Sequence, residues 1–391
     1  MSNRIYILSG GSGSGKTELL NTMLKKNPNF AVTPPKYSDR EKRNASDDIR
    51  TIATDDFNKE EYTFVYSMNN NIYGFKSSDI INCLKAGKNV FIIISDLRII
   101  EEFKKHFGSF VSVIYIFRNM TEEELNEILE ARKQENEIYN NQVDITKDTE
   151  DKIRKNRLYL IQRQYVENIA LFDHIILNRT GKKEEMYEQL NNIVGAYPKN
   201  QIIPRSKGPV IFLIAAASGA GKRTLMHAMY TLGKRNIKVI EKSTNRAPQD
   251  DDGPEIIPAT EIETDERFDI KYQFNSNWYG IKSSEIWDNL SSGYPQIIIT
   301  NMDEFHQFTK IFGQAAIGVY LHATRTQDEI LELQTSKLKS EEKAKKKVQK
   351  MEEIHQGYIE NIAKFKHVLL NTIEKEDLWE QMFRLIKHYQ N

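Results

Sequence analysis

Short, uniformly apolar runs alternate along this chain with longer amphipathic stretches. In the N-terminal half the runs are Ile5–Leu8, Val90–Ile94, Val111–Phe117 and His174–Leu177. In the C-terminal half they are Val210–Ile214, Gln296–Thr300, Ile317–Leu321 and His367–Leu370. A strand with one wet face alternates apolar and polar residues, whereas a run apolar at nearly every position is buried on both faces. The pattern therefore predicts parallel sheets covered by helices, an α/β architecture. Glu122–Tyr139 and Asp328–Gly357 are charged, helix-favouring stretches, read as helices with a solvated face.

The two halves repeat each other. An apolar strand, a glycine loop and a lysine at Ile5 to Lys16 recur at Ile211 to Lys222, a shift of 206 residues. The same shift carries Arg40 to Arg246, Asn71–Gly74 to Asn277–Gly280 and Lys76–Ile80 to Lys282–Ile286. Near the end Glu167–Ala170 recurs as Glu360–Ala363, a shift of 193, so the second copy has lost about a dozen residues, most of them between Ile128 and Arg157. An ordered series of matches indicates duplication. Gly195–Asn200 and Pro204–Pro209 carry the helix- and strand-breaking residues that place a linker between the copies. The expected domains are residues 1–196 and 209–391, with 197–208 as linker. Such a duplication allows the copies to pair within one chain.

Composition narrows the function classes. Lysine plus arginine equals aspartate plus glutamate, 55 against 55, so no global charge argues for nucleic acid or an acidic membrane as partner. Cys83 is the single cysteine, which excludes an internal disulfide and points to a reducing compartment. No apolar run has the length of a signal-peptide core or a membrane span. A cytoplasmic protein is expected.

The densest chemistry lies in Gly10-Gly11-Ser12-Gly13-Ser14-Gly15-Lys16-Thr17. Glycines at this spacing let consecutive backbone N–H groups face phosphate oxygens, and the following helix adds partial positive charge at its N-terminus. Gly10, Gly13 and Gly15 would shape the loop, Lys16 would bridge the β- and γ-phosphates of ATP, and the Thr17 hydroxyl would hold Mg²⁺. The second copy keeps Gly219, Gly221 and Lys222 but has Ala216 for the first glycine and Arg223 at the metal-ligand position. A guanidinium has no lone pair to offer a cation, so this second site reads as degenerate.

Ser12–Thr17, and Ser218–Lys222 still more closely, resemble the phosphate loop of the guanylate kinase superfamily, whose members include ribose 1,5-bisphosphate phosphokinases. The resemblance spans nearly all of both copies and implies tandem P-loop domains of the nucleoside monophosphate kinase type. It implies that Arg40 and Arg43, three apart, grip the acceptor's phosphate; the second copy keeps Arg246 but has Gln249. Paired guanidinium groups suit a dianionic phosphate. Tyr73 and Tyr279 match the tyrosine of a Tyr-Gly pair beside the acceptor, where it either bonds the phosphate or packs. Asp96 matches an acidic residue near the acceptor and the metal, at a strand end where such sheets bind ligands; the same shift leads to Met302, with Asp303 adjacent. Arg132 and Arg157, with Arg154 nearby, match lid arginines that neutralise the moving phosphoryl group, and their counterparts are approximately Gln334 and Lys350. Asn178 and Asn371 match an asparagine near the adenine. The positions nearest the family's acidic guanine reader hold Phe64 and Ile270.

The expected function is phosphoryl transfer from Mg·ATP to a phosphorylated small molecule, most simply a nucleoside monophosphate. The first copy would catalyse it and the second would be a structural or regulatory partner. A ribose 1,5-bisphosphate-type sugar phosphate kinase and a nucleotide-gated interaction scaffold are the alternatives.

Overall fold

A computed structural model describes residues 3–40, 51–54, 57–68, 71–119, 124, 127, 162–197, 208–217, 219–233, 236–248, 252–274, 276–325, 327–372 and 375–390. The chain divides into two compact units, Met1–Pro204 and Arg205–Asn391.

In the first unit the strands are β1 (Ile5–Ser9), β2 (Ala31–Val32), β3 (Lys36–Ser38), β4 (Thr51–Ala53), β5 (Phe64–Met68), β6 (Asn71–Phe75), β7 (Asn89–Ile93), β8 (Val111–Arg118) and β9 (His174–Asn178). Five of them form a sheet in the order β2-β7-β1-β8-β9, parallel throughout. Ile5 lies level with Val90 on one side and Val111 on the other. Ile5, Tyr6, Ile7 and Leu8 are all fully buried, as the unbroken apolar run requires of a central strand.

From β1 the chain runs to β2 at one edge, whereas from β7 it crosses to β8 on the far side of β1. The order of the strands therefore reverses between the C-terminal ends of β1 and β7, the crevice where open α/β sheets take ligands. The helix Lys16–Lys26 starts there from β1, and the helix Leu97–Phe107 from β7.

The second unit repeats this plan with β10 (Ile211–Ala216), β11 (Lys238–Val239), β12 (Lys242–Thr244), β13 (Ile256–Pro258), β14 (Ile270–Phe274), β15 (Asn277–Ile281), β16 (Gln296–Ile299), β17 (Ala316–Ala323) and β18 (Phe365–Asn371). Its parallel sheet runs β11-β16-β10-β17-β18.

Each unit also holds a four-stranded sheet that the apolar pattern does not announce, β4-β3-β6-β5 in the first and β13-β12-β15-β14 in the second. Its strands are short and carry polar residues on the wetter face, so they lack the unbroken apolar signal of the parallel strands. The β5–β6 and β14–β15 hairpins bring in the Tyr-Gly pairs, and packing explains the glycine. A Cβ on Gly74 would lie 2.7 Å from Tyr62 Cγ and 2.8 Å from Phe57 Cζ, and one on Gly280 would lie 2.6 Å from Phe268 Cγ. Gly74→Ala is expected to destabilise the first unit by about 1–3 kcal/mol through overpacking. Gly195→Ala, where a Cβ meets nothing within 4 Å, is the control expected to change little. Urea unfolding of the two variants measures the difference.

The charged stretch Asp328–Gly357 falls in two helices, Gln327–Leu338 and Glu341–Glu360. Lys339 breaks them apart at φ 50°, and Ser340 caps the second by accepting from Lys343 N. The solvated face is there, but Ala344, His355, Tyr358 and Ile359 form a buried stripe on the longer helix. The matching stretch Glu122–Tyr139 lies outside the described residues, Glu124 and Glu127 excepted. No helix among the described residues is long and apolar enough to cross a membrane.

Candidate functional site

The loop after β1 turns on three glycines with positive φ: Gly10 at 143°, Gly13 at 79° and Gly15 at 96°. Gly15 is the left-handed residue from which the helix Lys16–Lys26 starts. Any Cβ on Gly10 would lie 2.5 Å from the Ile116 carbonyl oxygen, so the loop sits directly against β8. Lys16 folds back over it, its Nζ donating to the carbonyls of Gly10 at 2.8 Å and Gly11 at 2.7 Å. Thr17 follows in the first helical turn, exposed. Asn178, at the end of β9, donates from Nδ2 to the Ser14 carbonyl at 2.9 Å, which ties the loop to the edge strand of the sheet.

Asp96 stands at the other side of the crevice as the N-cap of the helix Leu97–Phe107. Its carboxylate accepts from Arg98 N at 2.9 Å and from Arg98 Nη2 at 2.9 Å. Burial works against the charge, but the Arg98 side-chain and backbone bonds outweigh it and hold the carboxyl below its ordinary range. Arg40 follows β3, half-buried, with its N–H donating to Ser38 Oγ at 3.2 Å. Tyr73 is 4% exposed, stacks on Tyr66 with centroids 5.2 Å apart and has the Lys36 ammonium 5.4 Å above its ring. Of its two readings, the packing one has these contacts behind it. Arg43, Arg132 and Arg157 lie outside the described residues.

One cation at the loop is missing from the motif reading. Arg118, the last residue of β8, reaches the Gly13 carbonyl at 3.4 Å and Glu124 at 3.3 Å. The available signal was its place, a charge closing a central apolar strand. Its level counterpart in the second unit is Ala323. Phe64 packs among aromatic rings, 3.9 Å from Phe103 between centroids, and is 2% exposed.

The second unit keeps the loop geometry. Gly219 and Gly221 have φ of 85° and 109°, and Lys222 Nζ donates to Ala216 O at 2.9 Å and Ala217 O at 2.8 Å. Asn371 Nδ2 donates to Ala220 O at 2.9 Å, as Asn178 does to Ser14. The counterpart of Asp96 needs correcting. Ile5 pairs with Val90 and Ile211 with Gln296, a constant shift of 206, but the helix N-caps are Asp96 and Asn301, a shift of 205. One residue is absent between strand and helix, so the carboxylate is matched by the Asn301 amide and not by Met302.

The acceptor side of the second unit is also rebuilt. Arg246 Nη2 donates to Asp252 at 2.5 Å, and that bond holds its guanidinium above its ordinary pKa. Lys242 Nζ, nearly buried, meets Glu304 at 2.6 Å, Tyr272 Oη at 3.0 Å and Ile299 O at 2.5 Å. Burial, then the Glu304 carboxylate, pushes the Tyr272 phenol far above its usual range, so it stays protonated. Tyr279 stacks on Tyr272 with centroids 5.1 Å apart.

Strand order, switch point and glycine loop together define a P-loop kinase-like α/β fold in each unit. No family model matches the chain, and no curated protein matches it. A solved guanylate kinase from Anaplasma phagocytophilum is similar over 47% of this chain and 87% of its own, at 12% identity and a TM-score of 0.35. A likeness that slight carries no argument, and the fold class rests on topology and the loop.

Proposed function

We propose that the first unit transfers the γ-phosphoryl group of ATP to a phosphorylated small molecule, with the second unit as a non-catalytic partner. The observation that carries this reading is the loop itself. Lys16 and the backbone N–H groups of a tight glycine turn meet at the switch point, one strand away from a carboxylate.

Each residue then has a physical task. The loop amides and helix N-terminus receive the phosphates, and Lys16 exchanges its two carbonyl partners for phosphate oxygens. Arg118 is placed to add charge at the same loop. Thr17 and Asp96 offer the hard oxygen donors that suit Mg²⁺, which when bound supplies charge neutralisation at the phosphates. Arg40, with Arg43, would hold the acceptor's phosphate in line, and Arg132 and Arg157 would cover the moving group. Positioning and charge stabilisation supply most of the rate in such reactions, so no covalent intermediate is needed.

A nucleoside monophosphate is the first acceptor to test. Phe64 favours a second, because an aromatic cluster occupies the position nearest the family's guanine-reading carboxylate. An acceptor recognised by its phosphate alone, such as ribose 1,5-bisphosphate, needs no base reader. Transfer from Mg·ATP to a panel of nucleoside monophosphates and ribose 1,5-bisphosphate names the acceptor. Arg40→Ala should raise its KM about tenfold or more, as expected for loss of a charge-assisted bond. Transfer to none of the panel would defeat the kinase reading and favour the interaction scaffold.

A further inference from the structure

The second unit contains a cavity of about 750 Å³, within the size range of small-molecule sites. It runs from Lys222 to the helix Glu341–Glu360, with Met226, Met351, Tyr358 and Phe365 among its walls. Five cationic side chains and three carboxylates line it. Two of the cations belong to the acceptor side. Arg246 is taken up by Asp252, and Lys242 by Glu304. The phosphate side is different. Lys222 spends its hydrogen bonds on two backbone carbonyls. Burial, and after it the nearby charges of Arg223 and Lys347, brings its pKa down to about 8. That is the behaviour of an ammonium among like charges at a dry wall.

Two buried polar groups at this cavity and loop have unused hydrogen-bonding capacity. Thr300 lines the cavity, is 5% exposed, and its hydroxyl has no hydrogen-bond partner among the described residues. Gln334 is 3% exposed and brings its amide against Gly219, where an added Cβ would lie 3.3 Å from Nε2. Its Oε1 likewise has no partner among the described residues. Buried polar groups are rarely left unmatched, and each such case calls for an explanation such as a bound group.

The two positions that hold the metal in P-loop enzymes, the loop Ser/Thr and a carboxylate at the neighbouring strand end, are Thr17 and Asp96 in the first unit. They are Arg223 and Asn301 in the second. Threonine to arginine adds one positive charge, and aspartate to asparagine removes one negative charge. The change of two units equals the charge of a divalent cation: Arg223 has no lone pair for one, and the Asn301 amide brings no charge and already accepts from Glu304 N.

We propose that the second unit binds a nucleoside di- or triphosphate as the metal-free anion. Its phosphates lie at the N-terminus of the helix Lys222–Thr231, where Arg223 supplies charge in place of Mg²⁺. The apolar and aromatic walls suit a planar base better than a bare inorganic chain. With Arg246 and Lys242 already neutralised from within, no acceptor phosphate is held opposite it, and the nucleotide is bound without being turned over. The unit becomes a nucleotide-responsive partner. This goes beyond the kinase reading of the first unit and does not depend on it.

The test uses the full chain carrying Lys16→Ala, which disables the first loop, and titrates ATP in EDTA by calorimetry. One site is expected, with inorganic tripolyphosphate binding more weakly than ATP. Adding Arg223→Thr should weaken binding in EDTA about tenfold and make it improve when Mg²⁺ is supplied. Arg223→Lys should retain most of the affinity, and Lys222→Ala should lose it. Arg223 is exposed, so its replacements are expected to melt with the parent, and thermal unfolding checks this. No binding by the Lys16→Ala chain up to about 1 mM ATP, the weak end of specific affinities, would overturn the proposal. So would binding that Mg²⁺ strengthens in the parent or that Arg223→Thr leaves unchanged. Tripolyphosphate binding as tightly as ATP would reject the nucleoside. Failure of the kinase reading would appear elsewhere, as absent turnover in the unmodified chain with Mg·ATP.

Discussion

Lys16→Ala is expected to lower kcat/KM for phosphoryl transfer by about a thousandfold or more, whereas Lys222→Ala leaves turnover close to that of the unmodified chain. The asymmetry is informative because the two lysines are placed alike. Each donates to the two carbonyls five and six residues before it, at 2.7–2.9 Å. Charge placed in advance where phosphate charge moves commonly contributes several kcal/mol to the rate of such reactions. What differs is the company each lysine keeps at matching positions of the fold: Thr17, Asp96 and Arg118 in the first unit, Arg223, Asn301 and Ala323 in the second. Removing Lys16 also costs two hydrogen bonds to the carbonyls of buried Gly10 and Gly11, about 1–3 kcal/mol of stability, so activity should fall far more than folding. Radiolabelled transfer from ATP, with thermal melts alongside, separates the effects. Substantial activity in Lys16→Ala, or its loss in Lys222→Ala, would move the chemistry out of the first unit.

The largest stability effect is expected from Glu304→Ala, about 3–5 kcal/mol in the second unit. Lys242 and Glu304 are 8% and 3% exposed, and their ion pair is 2.6 Å long. Removing one partner of a buried pair leaves the other as an uncompensated charge in a poorly polarisable interior, and that penalty exceeds the worth of the pair. Glu304 also closes a capping box with Asn301, accepting from Asn301 N at 2.7 Å while Asn301 accepts from Glu304 N at 2.8 Å. Alanine therefore removes a helix cap as well. Replacing both partners, Lys242→Met with Glu304→Leu, should recover a large part of the loss, because no charge is then stranded. All three tryptophans, Trp278, Trp287 and Trp379, lie in the second unit, so tryptophan fluorescence in urea follows its unfolding specifically. A Glu304→Ala chain as stable as the parent would mean that Lys242 is solvated and the pair is not structural.

The sequence by itself determined the elements whose causes are local. A strand buried on both faces must be apolar at nearly every position, which made β1, β7, β8 and β9 and their four counterparts visible. A loop that turns at φ of 79°, 96° and 143° favours glycine there far above any other residue, which made Gly10–Thr17 legible before any contact was known. What only the tertiary structure decided depends on partners far apart in the chain. The four-stranded sheets are stabilised by packing on one face and have no unbroken apolar run. The glycine of the Tyr-Gly pair is fixed by Tyr62 and Phe57, through space and not through its φ. Arg118 meets the loop from a residue 105 positions away, and Lys242 finds its carboxylate 62 positions away. The shift from 206 to 205, a single residue absent beyond β16, decided that an asparagine stands at the helix N-cap where the first unit has Asp96. Local geometry is written in adjacent residues. The pairing of charges across the crevice is not, because many sequences with the same strands and loop would leave those charges paired differently.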